Sequence, residues 1–108
     1  MAYAMLNTAR IHDWSSFHNV CAEVFGFPDF YGRNMDAWID CLTYLDEDDG
    51  MSRFVLGEGE HLFILVPDFK EFSARVPEIA SALLECSSFV NKRYLEAKRM
   101  PRLALVLQ

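Results

Sequence analysis

Little in this sequence suits a disulfide scaffold, a membrane span or a nucleic-acid grip. Only three cysteines occur among 108 residues, Cys21, Cys41 and Cys86. Their odd number and wide spacing exclude a disulfide framework and a zinc-ligand pattern, leaving reduced, mostly core thiols. No apolar run approaches the roughly 20 residues of a membrane-spanning helix. The opening Met1-Ala2-Tyr3-Ala4-Met5-Leu6 has no basic residue ahead of an apolar stretch. That argues against a secretory leader and predicts a cytoplasmic protein. Basic residues are the scarcer charge: ten Lys and Arg against sixteen Asp and Glu give a net charge of −6. Such a surface repels nucleic acid and attracts basic partners. Internal repeats and low-complexity tracts are also missing.

What the sequence does have is apolar material. Hydrophobic residues make up 52% and aromatics 14%, enough for a real core in one domain spanning residues 1–108. The charge is unevenly spread. Residues 29–49 hold seven acids against Arg33 alone, a net of −6, whereas residues 92–108 carry a net of +4. The basic cluster Lys92, Arg93, Lys98, Arg99 and Arg102 could meet that acidic stretch within one molecule, meet it in a neighbour, or stay solvated. A free monomer is the default.

Hydrophobic periodicity predicts the element order β-α-α-β-α-α-β. A first strand falls within residues 1–7. Asp13 caps a helix whose face is Trp14, Phe17, Cys21, Val24 and Phe25, and Gly26 ends it. Pro28 biases Phe27 away from helix, so residues 27–32 cannot continue the first one. Asn34 is a good cap for a second helix over Met35–Tyr44. Leu45–Glu60 reads as an irregular connection. Leu62–Val66 is a continuous apolar run, as is Leu103–Leu107, and each predicts a strand covered on both faces. Asp68 caps a short helix to about Val76. Pro77 opens a long one to about Lys98, with Ile79, Ala82, Leu83, Cys86, Val90, Tyr94 and Ala97 as its stripe. Helical crossovers between strands predict a parallel sheet, hence a small α/β domain with three parallel strands and packed helices.

The second helix carries the chemical information. Met35, Trp38, Ile39 and Leu42 share one face; Asp36, Asp40, Thr43 and Tyr44 share the other. One row can pack inward while the other presents carboxylates, a hydroxyl and a phenol. Like charges at i, i+4 oppose an isolated helix by a few tenths of a kcal/mol. The helix dipole offsets some of this for Asp36, in the first turn, but not for Asp40. Solvation of an outer face is the plain explanation of both acids. The flanking aromatics Phe30, Tyr31 and Tyr44 favour an interface instead. Gly32 serves a tight turn and Asn34 a cap on the plainest view.

The stretch Phe30-Tyr31-Gly32-Arg33-Asn34-Met35-Asp36-Ala37-Trp38-Ile39-Asp40-Cys41-Leu42-Thr43 resembles the signature of the barstar family, intracellular inhibitors of barnase-type ribonucleases. The element order also resembles that family's. The resemblance implies a barstar-like fold whose loop and second helix plug the active site of a small basic ribonuclease. The partner-binding residues it implies are Phe30, Asn34, Asp36, Ile39, Asp40, Thr43, Tyr44 and Leu45. Asp40 falls on the family's dominant acidic contact, which takes a phosphate's place in the nuclease. Departures from the family pattern are Phe30 for a tyrosine, Ile39 for a tryptophan, Tyr44 and Leu45 for a glycine and a tryptophan, and Arg33 for an acid. The 45–60 connection is longer than the family's. The family's distal acid on the long helix has no clear match; Glu96 lies near, among Lys92, Arg93, Lys98 and Arg99.

The mechanism implied is substrate mimicry: a carboxylate on a stiff helix accepts the charge-assisted hydrogen bonds a phosphate would receive. Asp46, Glu47, Asp48 and Asp49 would add long-range attraction. No cofactor, metal or catalytic residue is expected, and no direct contact with nucleic acid or membrane. The partner expected is a basic extracellular-type ribonuclease or a related toxin protein. Two other readings stand beside this one. Asp36 and Asp40 could serve as an acid–base pair or hold a metal, with His12, His18 or His61 assisting, although no motif supports it. Alternatively, a barstar-like immunity or regulatory module could bind a different basic protein. The acidic run before Gly50 fails the register of a calcium loop, which would put Leu45 and Leu56 at ligand positions.

Overall fold

Three runs of extended backbone make the sheet: Ala2–Met5 (β1), Leu62–Val66 (β2) and Leu103–Leu107 (β3). A computed structural model describes all 108 residues. The strands run parallel in the order β1-β2-β3, so each link must be a crossover. Trp14–Phe25 (α1) and Met35–Thr43 (α2) lie in the first; Phe69–Arg75 (α3) and Pro77–Glu96 (α4) lie in the second. The α/β class, strand number and element order are those the sequence predicts. One turn of 3-10 helix at Thr8–Arg10 is additional, and three residues are too few to show a period.

The strands depart from expectation in one respect. Their apolar runs predict burial on both faces, but only one face is covered. Ala4, Leu62, Ile64, Val66 and Leu103 are buried in a core with Phe17, Phe25, Trp38, Leu42, Leu83 and Val90. On the other face Tyr3, Phe63 and Ala104 stand abreast, as do Met5, Leu65 and Val106. Tyr3 and Met5 are exposed and the other four only partly covered. A run apolar at every position cannot reveal which parity the helices cover.

The helix ends follow local chemistry. Asp13 and Ser16 form a reciprocal capping box on α1, with Ser16 N–H donating to Asp13 Oδ1 at 2.8 Å. Gly26 ends the helix at φ 66°, where a Cβ would also come within 2.7 Å of Arg53 Cβ. Asn34 caps α2. Asp68 precedes α3, but its backbone is left-handed (φ 51°) and its side chain makes no cap bond, contrary to the capping role expected. Pro77 opens α4, which ends at Glu96 rather than Lys98, because the chain turns there through left-handed Lys98. The buried stripe of α4 runs through Ile79, Ala80, Leu83, Ser87, Val90 and Tyr94; Ala97 lies outside it, exposed.

The 45–60 connection has no regular element, as expected, yet it is anchored. Leu45 and Leu56 are buried and joined by a backbone hydrogen bond. Ser52 Oγ and Arg53 N–H both donate to the Phe25 carbonyl, at 2.7 and 2.9 Å. Arg53 Nε donates to the Val24 carbonyl at 2.8 Å. The carbonyls left over at the end of α1 thus hold the connection down.

Candidate functional site

The loop between α1 and α2 is fixed before the acids are reached. Tyr31 turns inward, where its hydroxyl and His18 Nδ1 lie 2.6 Å apart in a buried contact. Burial pushes the His18 pKa below its usual value, with a smaller push from the Arg33 charge. Burial likewise pushes the Tyr31 phenol up, so the pair is neutral at physiological pH. Two residues on, Arg33 donates to the Ser15 carbonyl at 3.0 Å. The left-handed residue of this turn is Arg33 (φ 55°), not Gly32. Gly32 instead lies close to α2, where a Cβ would stand 3.3 Å from that of Ala37. Held from both sides, the loop leaves Phe30 at its tip, 76% exposed.

Asn34 then starts α2, its Oδ1 accepting from Ala37 N–H at 2.8 Å. Its Nδ2 donates to the Gly32 carbonyl at 3.3 Å. Both ends of the amide are used within the chain, so Asn34 shapes the loop. Beyond it the two helical faces separate as the spacing predicts. Trp38, Ile39 and Leu42 are buried; Asp36, Asp40 and Tyr44 are exposed, with Thr43 between. Thr43 Oγ1 donates back to the Ile39 carbonyl at 2.7 Å.

Two of the residues implied by the resemblance do not reach the surface. Ile39 is 9% exposed and Leu45 fully buried. Ile39 shares the inward stripe with Trp38 and Leu42. The Leu45 N–H donates to the Tyr94 hydroxyl at 3.0 Å, and that hydroxyl donates to the Leu42 carbonyl at 3.0 Å. Tyr94 so closes the end of α2 from α4, with burial holding its phenol up at about 12. The exposed set is therefore Phe30, Asn34, Asp36, Asp40 and Tyr44, with Thr43 partly so and Asn34 committed to the loop and cap.

The acids are not equivalent. Asp36 makes no salt bridge. Asp40, expected to stand free, accepts from Arg93 Nη1 at 2.8 Å through Oδ1; the two side chains are 56% and 39% exposed. The same Nη1 lies 3.4 Å from Thr43 Oγ1, and the guanidinium sits over the Phe89 ring, 5.3 Å from its centre. Farther along, Arg99 pairs with Asp46, and Arg102 lies 3.7 Å from it. Arg102 also donates to the carbonyls of Gly57 and Glu60, both at 2.9 Å. Asp46 thus anchors the connection and is not available for long-range attraction alongside Glu47, Asp48 and Asp49, which are exposed. For these three arginines the basic cluster folds back onto the acidic stretch of the same molecule. Sequence reasoning missed Arg93 as part of the site. Its i, i+4 spacing from Phe89 was a signal, but nothing in the chain order says that α4 lies beside α2.

Chemically, the ridge can accept hydrogen bonds from cations and offer aromatic surface at both ends. It holds no activated nucleophile: burial raises the Cys41 thiol to about 11, and His18 is sequestered by Tyr31. An acidic helix with an aromatic loop, backed by a three-stranded parallel sheet, is the arrangement that the motif at 30–43 implies. The family model for barstar (barnase inhibitor) matches residues 1–107, and the chain belongs to that family.

Proposed function

We propose that this protein inhibits a small basic ribonuclease by seating α2 and the preceding loop in its cleft, where Asp40 takes the place of a substrate phosphate. Membership of an inhibitor family supports inhibition of a barnase-type ribonuclease in general. The observation that carries the finer reading is the exposed ridge of Asp36 and Asp40 on a short helix. That helix is capped by Asn34, backed by Trp38 and closed by Tyr94. A carboxylate held this stiffly loses little side-chain freedom on binding, so more of its interaction energy appears as affinity. The cation of a nuclease phosphate site would meet Asp40, and Phe30 and Tyr44 would exclude water at the edges. Burial of the two aspartates, or their capture by the molecule's own arginines, would count against the mechanism: both are exposed and Asp36 makes no salt bridge, but Asp40 is held by Arg93. Asp40 keeps Oδ2 outside its salt bridge, and exposed pairs of this kind contribute about 1 kcal/mol or less. A cytoplasmic monomer, with residues 1–108 acting as one domain, fits that role.

A second reading is favoured by one observation. With Arg93 beside Asp40, the α4 side of the ridge is basic, whereas the family's distal contact there is acidic. A barstar-fold immunity or regulatory module for a different basic protein would accommodate that change. Titration against a panel of small basic ribonucleases, with binding heat and RNA cleavage read together, separates the two. Stoichiometric loss of cleavage with one of them supports inhibition. If every member of the panel neither binds nor loses activity, the ribonuclease reading fails and the second stands.

A further inference from the structure

We propose that Arg93 is a specificity-determining residue of this site: it holds Asp40 Oδ1 and sets a positive charge beside the carboxylate that a partner's cation must approach. The inference rests on the inhibitor reading and goes further, to the kind of cation the site accepts. Arg93 is held at several points. Its Nη1 donates to Asp40 at 2.8 Å and lies 3.4 Å from Thr43 Oγ1, while the Phe89 ring supports the guanidinium at 5.3 Å. A fork-shaped arginine from a partner needs both oxygens of a carboxylate for its two parallel hydrogen bonds. Here Oδ1 already accepts from Arg93, and a second guanidinium laid across both oxygens would be brought against the Arg93 charge. A compact ammonium, or one N–H of a guanidinium, can still reach Oδ2. The site therefore accepts a single-point cation and discriminates against a partner that must grip Asp40 with two bonds. Selectivity arises from the disfavoured complex as much as from the favoured one.

The test uses the full chain, with barnase as the probe and thermal melts to confirm that each variant folds. Arg93→Gln frees Asp40; Arg93→Lys keeps a charge beside it. Lys92→Gln removes the neighbouring exposed charge and controls for net charge alone. The expected result is that Arg93→Gln binds barnase roughly fivefold more tightly than the unmodified protein, mainly through slower dissociation. Arg93→Lys should stay near the unmodified value and Lys92→Gln should change affinity less than 3-fold. The gain should vanish in an Asp40→Asn background, as a double-mutant cycle requires of a direct coupling. Binding by Arg93→Gln where the unmodified chain does not bind also supports the proposal. An equal gain from Lys92→Gln, a gain that survives Asp40→Asn, or weaker binding by Arg93→Gln overturns it. So does failure of every variant to bind, because freeing Asp40 would then open nothing. The inhibitor reading is decided separately, by whether the unmodified protein stops RNA cleavage by any ribonuclease of the panel.

Discussion

Asp40 and Asp48 are both exposed, but only Asp40 lies on the stiff helix. In a complex with its cognate nuclease, Asp40→Ala should weaken binding by about 2 kcal/mol or more, roughly 30-fold in Kd, the barnase–barstar pair being itself a reference case for such hot spots. Asp48→Ala should change Kd by about twofold or less and act mainly on the association rate. Calorimetric titration of both variants checks this, and equal losses would contradict substrate mimicry. The buried His18–Tyr31 pair makes a prediction in the free protein. Because the folded His18 pKa lies below its usual 6.5, the unfolded chain binds the proton more readily. The stability from neutral His18 is thus complete above about pH 6.5 and declines as the pH falls toward the folded value. Urea midpoints should drop between pH 7.5 and 5.5, and His18→Gln should flatten that drop. A steep decline that survives in His18→Gln would place the titration elsewhere.

At the scale of elements, the C-terminal end of α2 is tied to α4 by the Tyr94 hydroxyl. Tyr94→Phe keeps the packing but leaves the buried Leu45 N–H without its partner and the Leu42 carbonyl without its donor. The cost should be about 1–3 kcal/mol, read as a lower denaturation midpoint, together with faster amide exchange at Leu45. Unchanged exchange there would mean that the α2 terminus is held by something else. The elements themselves were legible because their signals are local. The Asp13 and Asn34 caps, Gly26, Pro77 and the alternation of Trp38, Ile39 and Leu42 with Asp36, Asp40 and Thr43 all act within a few residues. The spacing placed Ile39 inside and the resemblance placed it outside; packing sided with the spacing. The open face of the sheet and the Arg93–Asp40 pair were not legible. Each depends on which element lies opposite, a matter of tertiary geometry that neither period nor composition encodes.

Over the whole molecule, the acidic excess and the basic cluster partly cancel within one surface. Three arginines from residues 93–102 lie against Asp40 and Asp46, so the field reaching a partner is weaker than the sequence implies. Association with a basic nuclease should still slow as salt rises, because exposed charges farther apart than a Debye length, about 8 Å at physiological ionic strength, are screened. Stopped-flow rates at low and high salt check this, and a rate indifferent to salt would remove charge steering from the mechanism. Order along the chain adds a constraint on timing. The acids of α2 sit at positions 35–43, while the tyrosine that closes their helix comes 49 to 52 residues later than the groups it binds. During synthesis the ridge therefore exists as a sequence well before it exists as a surface. A ribosome stalled before Tyr94 would display every carboxylate of the ridge and none of its final shape.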